Sequence, residues 1–362
     1  MAKIAQAPEA AAVSTSVSVS TLKAIAQLGE AVLSGQLLNA DQALRLADLA
    51  AADPWEAMAW AHRVRQGRFG NQVRFCSIIA GRLGACPEDC KWCAQSLAWT
   101  PSRRQTAKEA APAKPRVAPR REILAAAHAA RENSAACLGI VNSGRRPSAA
   151  DLGAVAEAAG AILSDTSCPL GVCASLGEIT ADQARKLAGA GVRRYHHNLE
   201  TSRRFFPSMV TTHGYDDRLA TLAVARSAGM SLCCGGIFGL GETWADRVDL
   251  GLTLRDQVAP EVVPLNFLHP IPGTPLEHAQ PLQPMEILAI VAIYRLILPA
   301  ADIKVAGGRE VNLRDLQSWV FHAGATSLMV GNYLTTPGRG AAADLQMVQD
   351  LGLTLVNDFS KP

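Results

Sequence analysis

No apolar run in this chain is long enough to cross a bilayer; the nearest approach, Ile287 to Pro299, is cut by Arg295. Charge of neither sign dominates. Against 35 Lys and Arg stand 32 Asp and Glu, and a net charge of +3 gives no reason to expect nucleic acid or an anionic membrane as partner. The N-terminus has one early lysine and then an Ala/Ser/Thr/Val tract, without the apolar core and cleavage site of a secretion signal. Nine cysteines, an odd number with three of them bunched, do not make a disulfide framework and fit a reducing compartment. Together these absences lead us to expect a soluble, cytoplasmic protein. No histidines pair into a recognisable acid and base.

What the chain does have is the stretch Cys86-Pro87-Glu88-Asp89-Cys90-Lys91-Trp92-Cys93, three thiols spaced x3 then x2. Thiolates this close on one loop suit zinc or an iron–sulfur cluster. A closed zinc site wants a fourth Cys or His nearby, yet the nearest histidines, His62 and His128, lie beyond long intervening segments. Three cysteines on a four-iron cubane leave one iron without a protein ligand, the arrangement of a catalytic cluster.

A length of 362 residues fits two average domains or one α/β barrel, a fold that often reaches about 250 residues or more as one unit. Residues 1–20 are low in complexity and read as a disordered tail. From Thr21 to about Gln66 the apolar spacing is helical, with Asp53 as an N-cap and Pro54 at the first helical position, so residues 21–70 read as a helical cover. Thereafter apolar runs alternate with helix-length segments. Candidate strands are Val73–Ile79, Ala136–Asn142, Gly171–Leu176, Val192–Leu199, Ser231–Phe238, Val262–Leu268, Asp302–Val305 and Thr326–Val330. The intervening helices include Trp244–Gln257, Met285–Leu298 and Val311–Val320. Such alternation predicts a (β/α)8 TIM-type barrel over 71–353, with a C-terminal tail over 354–362. The basic, Ala/Pro-rich stretch 100–119 reads as an exposed loop.

Cys137, Cys173 and Cys233 fall within three different strands, and alternation could aim all three thiols inward at one centre. Taken alone, a Cys in an apolar strand is as readily a small buried hydrophobe. Cys234 follows Cys233 directly and should face the helix layer. Cys76 and Cys168 read as structural. The end of Val192–Leu199, Tyr195-His196-His197-Asn198-Leu199-Glu200-Thr201, is a ligand site or a solvated strand end. Gly235-Gly236-Ile237-Phe238-Gly239-Leu240-Gly241-Glu242 permits close backbone approach.

CPEDCKWCAQS resembles the CxxxCxxC loop of radical S-adenosylmethionine (SAM) enzymes, and within them the biotin synthase family; the similarity runs from about Leu22 to about Leu353. It implies that Cys86, Cys90 and Cys93 hold a 4Fe–4S cluster whose open iron takes SAM, with Trp92 against the nucleoside and Ile237 at the adenine. By the same resemblance Asn198 meets both SAM and substrate, Glu200 meets the ribose, and Arg218 holds the SAM carboxylate. Asn266 is matched to the substrate's ureido group, and Thr335 and Thr336 to its carboxylate tail. Cys137, Cys173 and Cys233 are matched to an auxiliary sulfur-donating cluster, 2Fe–2S or larger. The chain departs from the pattern at His196, Glu200 and Lys304; the last stands where the family commonly supplies an arginine ligand. A protonated lysine has no lone pair for iron, so we expect an auxiliary cluster ligated differently, with Lys304 and Cys234 as open questions. The implied partners are dethiobiotin, a reducing donor such as flavodoxin or ferredoxin, and a second copy of the chain in a homodimer. Two other readings stay open: a related radical SAM maturase or mutase that inserts no sulfur, and a non-enzymatic iron–sulfur or zinc protein.

Overall fold

The structure, a computed structural model, describes residues 18–99, 114–167, 169–336, 338–357 and 359. Most of the expected N-terminal tail and of the 100–119 loop, together with Cys168, lies outside the described residues.

Three helices open the chain, Val19–Leu33, Ala40–Ala52 and Pro54–Phe69. The first begins inside the stretch read as a tail, because Ser18 accepts a hydrogen bond from the Thr21 amide and fixes the start. Asp53 caps the third by accepting from the Trp55 amide at 3.1 Å, and Pro54 occupies the first helical position as expected. The second and third pack over the helix Pro284–Ile297, and the first packs on those two. That helix is apolar on all faces because it is covered on all faces, by the barrel inside and the N-terminal helices outside. Arg295, which interrupts its apolar run, is fully buried and donates to the carbonyls of Gly324, Ala301 and Pro299 at 2.9, 2.8 and 3.1 Å.

The sheet is a closed parallel barrel of eight strands: β1 Gln72–Leu83, β2 Cys137–Asn142, β3 Gly171–Ser175, β4 Arg194–His196, β5 Ser231–Cys233 continued by Gly236–Phe238, β6 Val262–Phe267, β7 Asp302–Val305 and β8 Ser327–Met329. Each pairs with the next, and β8 closes on β1 through Arg74↔Ser327, Phe75↔Leu328 and Cys76↔Met329. The stretch read as one strand, 231–238, breaks at Cys234-Gly235. A Cβ on Gly235 would lie 1.9 Å from the Pro264 carbonyl oxygen, so only glycine lets β5 pass β6 there. The helix expected over Val311–Val320 is also broken, into Arg309–Leu313, a 3-10 turn Arg314–Leu316 and Trp319–His322. The cause is Arg309: buried, it pairs with Asp344 and Gln317, and Gln317 turns back to donate to the Arg309 carbonyl at 2.9 Å.

Within the region read as a C-terminal tail, Thr354–Leu355 pairs with the start of β1, and Phe359 reaches the barrel floor, where its ring takes the space a side chain on Gly171 would need. No helix among the described residues is long and apolar enough to cross a membrane.

Candidate active site

The cysteine loop leaves the C-terminal end of β1 through Gly84 and Ala85, both with positive φ. It closes on itself: the Cys86 amide donates to the Gln95 carbonyl at 3.0 Å, the Leu97 amide to the Cys86 carbonyl at 2.8 Å, and the Cys93 amide to the Cys90 carbonyl at 3.0 Å. Its outer side is tied to a segment more than a hundred residues away. Asp89 accepts from the amides of Thr211 and Thr212 at 2.9 and 3.2 Å, and Glu88 accepts from the Thr212 hydroxyl at 2.6 Å and meets His213 Nδ1 at 2.5 Å. The other nitrogen of His213 lies 2.9 Å from the Arg218 guanidinium. Arg218 is therefore not a surface charge: it is 8% exposed, donates to the Asn198 carbonyl at 2.7 Å and stands 3.8 Å from Glu200 Oε1.

Cys86, Cys90, Cys93 and Arg218 line a cavity of about 260 Å³ at the barrel mouth. Trp92, Cys93, Asn198 and Glu200 also line a larger cavity of about 340 Å³ that runs down the barrel axis, so the two adjoin. Asn198 is locked between neighbours; its Oδ1 accepts from the Gly235 amide at 3.1 Å and its Nδ2 donates to Glu200 at 3.2 Å. Glu200 sits at a positive φ of 70°. Burial raises its pKa against the lowering pull of Arg218.

The larger cavity gathers Ile237, Asn266, Thr335 and Thr336 on its walls. Asn266 donates to the Gly236 carbonyl at 3.1 Å and accepts from the Gly307 amide at 2.9 Å, which fixes its amide plane and leaves one N–H and one lone pair for a ligand. Tyr333 steadies the threonine loop, its hydroxyl meeting the Ala306 carbonyl and Glu310 at 3.2 and 2.8 Å.

Deeper in the same cavity lie Cys137, Cys173 and Cys233, all buried, as strand alternation suggested. Cys234 packs into the helix-side core instead, which removes it from the inner set. Cys76, read as structural, does not belong to that outer core. Val73 and Phe75 fill the space behind the barrel, so Arg74, Cys76 and Ile78 face in. Its Sγ lies 3.4 Å from that of Cys137. Lys304 is 6% exposed and reaches both Cys76 and Cys233, at 3.6 and 3.5 Å. Burial disfavours its charge, whereas thiolates at the surrounding cysteines would favour it.

No three Cys, His or carboxylate side chains among the described residues close on a single ion. The donor sets, three thiols at the mouth and a group of buried thiols below, suit iron–sulfur clusters in chemistry and number. Burial pushes the free thiols of Cys86, Cys90 and Cys93 up, Cys93 to about 11, so a cation is needed to hold them as thiolates. Missed from the sequence were Cys76, Glu88 and His213. Only strand parity, Val73 and Phe75 outward and therefore Cys76 inward, carried a signal for the first of them.

Residues 83–253 match the Radical SAM superfamily, and residues 264–354 match the Biotin and Thiamin Synthesis associated domain. The chain is 47% identical over 333 residues to the biotin synthase of Trichlorobacter lovleyi, covering 92% of this chain and 96% of the relative. It is 44% identical over 327 residues to that of Geotalea uraniireducens, covering 90% and 96%. Among solved structures, methylornithine synthase superposes with a TM-score of 0.75 at 19% identity, covering 91% of this chain and 97% of that one. The FeFe-hydrogenase maturase from Carboxydothermus hydrogenoformans gives 0.73 at 16% identity, covering 92% and 79%. Both likenesses concern the fold.

Proposed function

This chain belongs to the biotin synthase family of radical SAM enzymes, and from that membership we infer that it converts dethiobiotin to biotin. A 5′-deoxyadenosyl radical derived from SAM removes hydrogen from two unactivated carbons, which a sulfur atom then bridges; each abstraction consumes one SAM. The observation that carries this reading is two thiol groups on adjoining cavities, one at the barrel mouth and one beneath it. Cys86, Cys90 and Cys93 would hold a four-iron cluster, which would supply the electron for SAM cleavage, and Cys137, Cys173 and Cys233 would hold a second cluster, which would supply the sulfur.

The rest is positioning by the protein. Arg218, pre-aimed by the Asn198 carbonyl and His213, pairs with the SAM carboxylate. Glu200 accepts from the ribose, Trp92 lies against the nucleoside, and Ile237 brings backbone to the adenine. Asn198 and Asn266 offer amide donors and acceptors to the cyclic urea, while the hydroxyls of Thr335 and Thr336 hold the carboxylate tail at the mouth. A closed barrel keeps water and stray hydrogen donors from the reacting carbons. A reducing electron donor such as flavodoxin or ferredoxin delivers the electron, and the chain works as a homodimer; sedimentation equilibrium checks the latter.

Anaerobic incubation of the reconstituted protein with SAM, reductant and dethiobiotin tests the reading. Biotin, methionine and 5′-deoxyadenosine are the expected products. Deoxyadenosine without biotin would instead favour a related barrel that inserts no sulfur, and no deoxyadenosine at all would favour a non-enzymatic metal protein.

A further inference from the structure

Lys304 cannot act as an iron ligand while it carries its proton, since an ammonium has three donors and no lone pair. Its Nζ sits between two sulfurs, 3.6 Å from Cys76 and 3.5 Å from Cys233, in donor contact with both. Register places Cys76 level with its neighbours: it pairs with Cys137 on one side and Met329 on the other, and its Sγ lies 3.4 Å from that of Cys137. Cys76, Cys137 and Cys173 form a buried patch apart from the main core, backed by Phe359. The other candidates for a fourth donor are occupied or turned away. Cys234 is in the helix-side core, and Arg194 donates to Ser231 at 3.1 Å while its guanidinium lies over the Phe359 ring at 4.6 Å. His196 is within 3.2 Å of Cys233 Sγ but approaches the set from the mouth side, where it also lines the upper cavity.

We propose that Cys76 is the fourth thiolate ligand of the second cluster, with Lys304 as a fixed cation donating to two of the ligand sulfurs. The assignment rests on the reading that an iron–sulfur cluster occupies this part of the barrel. Four thiolates around a cluster concentrate negative charge in a closed cavity, and burying that charge is costly unless it is paired. Lys304 pairs it from within hydrogen-bond range of sulfur, and hydrogen bonds to ligand sulfurs raise a cluster's potential. The lysine therefore tunes the cluster where an arginine would have ligated it.

The test uses full-length protein in which Cys86, Cys90 and Cys93 are all replaced by Ala, so that iron and sulfide report on the second centre alone. After anaerobic reconstitution this protein should retain iron with an all-thiolate Mössbauer signature. Adding Cys76→Ser should remove iron or shift the spectrum, while adding Cys234→Ala should do neither. Lys304→Met should keep the iron but lower the reduction potential, which separates a charge partner from a ligand. Matching circular dichroism of the metal-free proteins controls for folding. An unchanged spectrum in Cys76→Ser, or loss of the cluster in Lys304→Met with Cys76→Ser unaffected, overturns the assignment. If the triple variant takes up no iron at all, the second centre itself is overturned and the Cys76 assignment falls with it.

Discussion

Arg218 illustrates how much of the site is set by single side chains. Buried among Asn198, Glu200 and His213, it has both terminal guanidinium nitrogens engaged by these neighbours and its Nε without a partner among the described residues, and it lines the upper cavity. Arg218→Met removes a charge-assisted contact worth about 1.5–3 kcal/mol, so the KM for SAM should rise roughly tenfold to a hundredfold. Deoxyadenosine release against SAM concentration measures it; an unaltered KM would mean that the arginine only braces His213. Asn266, proposed to meet the substrate's urea, allows the complementary test. With Asn266→Leu we expect the KM for dethiobiotin to rise about tenfold or more while SAM binding is retained, because an unpaired urea is left against an apolar wall. A parallel loss of SAM affinity would show that the residue supports the strands instead.

Among the elements, the break in β5 follows from backbone contact. Gly235→Ala forces a Cβ against the Pro264 carbonyl, and we expect destabilisation by about 2 kcal/mol or more, read as a fall in Tm. A second element-level device joins the helical cover to the barrel: His62 on Pro54–Phe69 stacks on His322 of Trp319–His322, ring centroids 4.7 Å apart. Burial, then His322 and Arg65, lower the His62 pKa below 6.5, and burial lowers that of His322. Since both folded-state values are depressed, the unfolded chain takes up protons first as pH falls. Their stabilising effect is present above pH 6.5 and lost below it. Tm measured from pH 7.5 to 5 should fall less steeply in His62→Gln than in the native protein.

For the molecule as a whole, the barrel is sealed at its floor by its own C-terminal residues. Thr354–Leu355 extends the sheet beside β1, and Phe359 lies under the thiol patch against Arg194 and Gly171. Phe359→Ala should leave the fold intact but let solvent reach the second centre, so iron–sulfur absorbance should bleach faster in air than in the native protein. An equal rate would mean that the floor is closed without it.

The order of eight strands, the three-thiol loop and the parity of Cys137, Cys173, Cys233 and Cys234 were fixed by local sequence, because spacing and alternation act between near neighbours. What they left open was which thiols meet. Cys76 looked like any cysteine in an apolar strand until pairing of β1 with β2 set it beside Cys137 and closure of β8 on β1 brought Lys304, 228 residues away in the chain, against it. The same holds for Glu88 and His213, 125 residues apart, whose contact braces the cysteine loop. Such pairs depend on barrel register, and register is set by packing of the whole sheet against its helices.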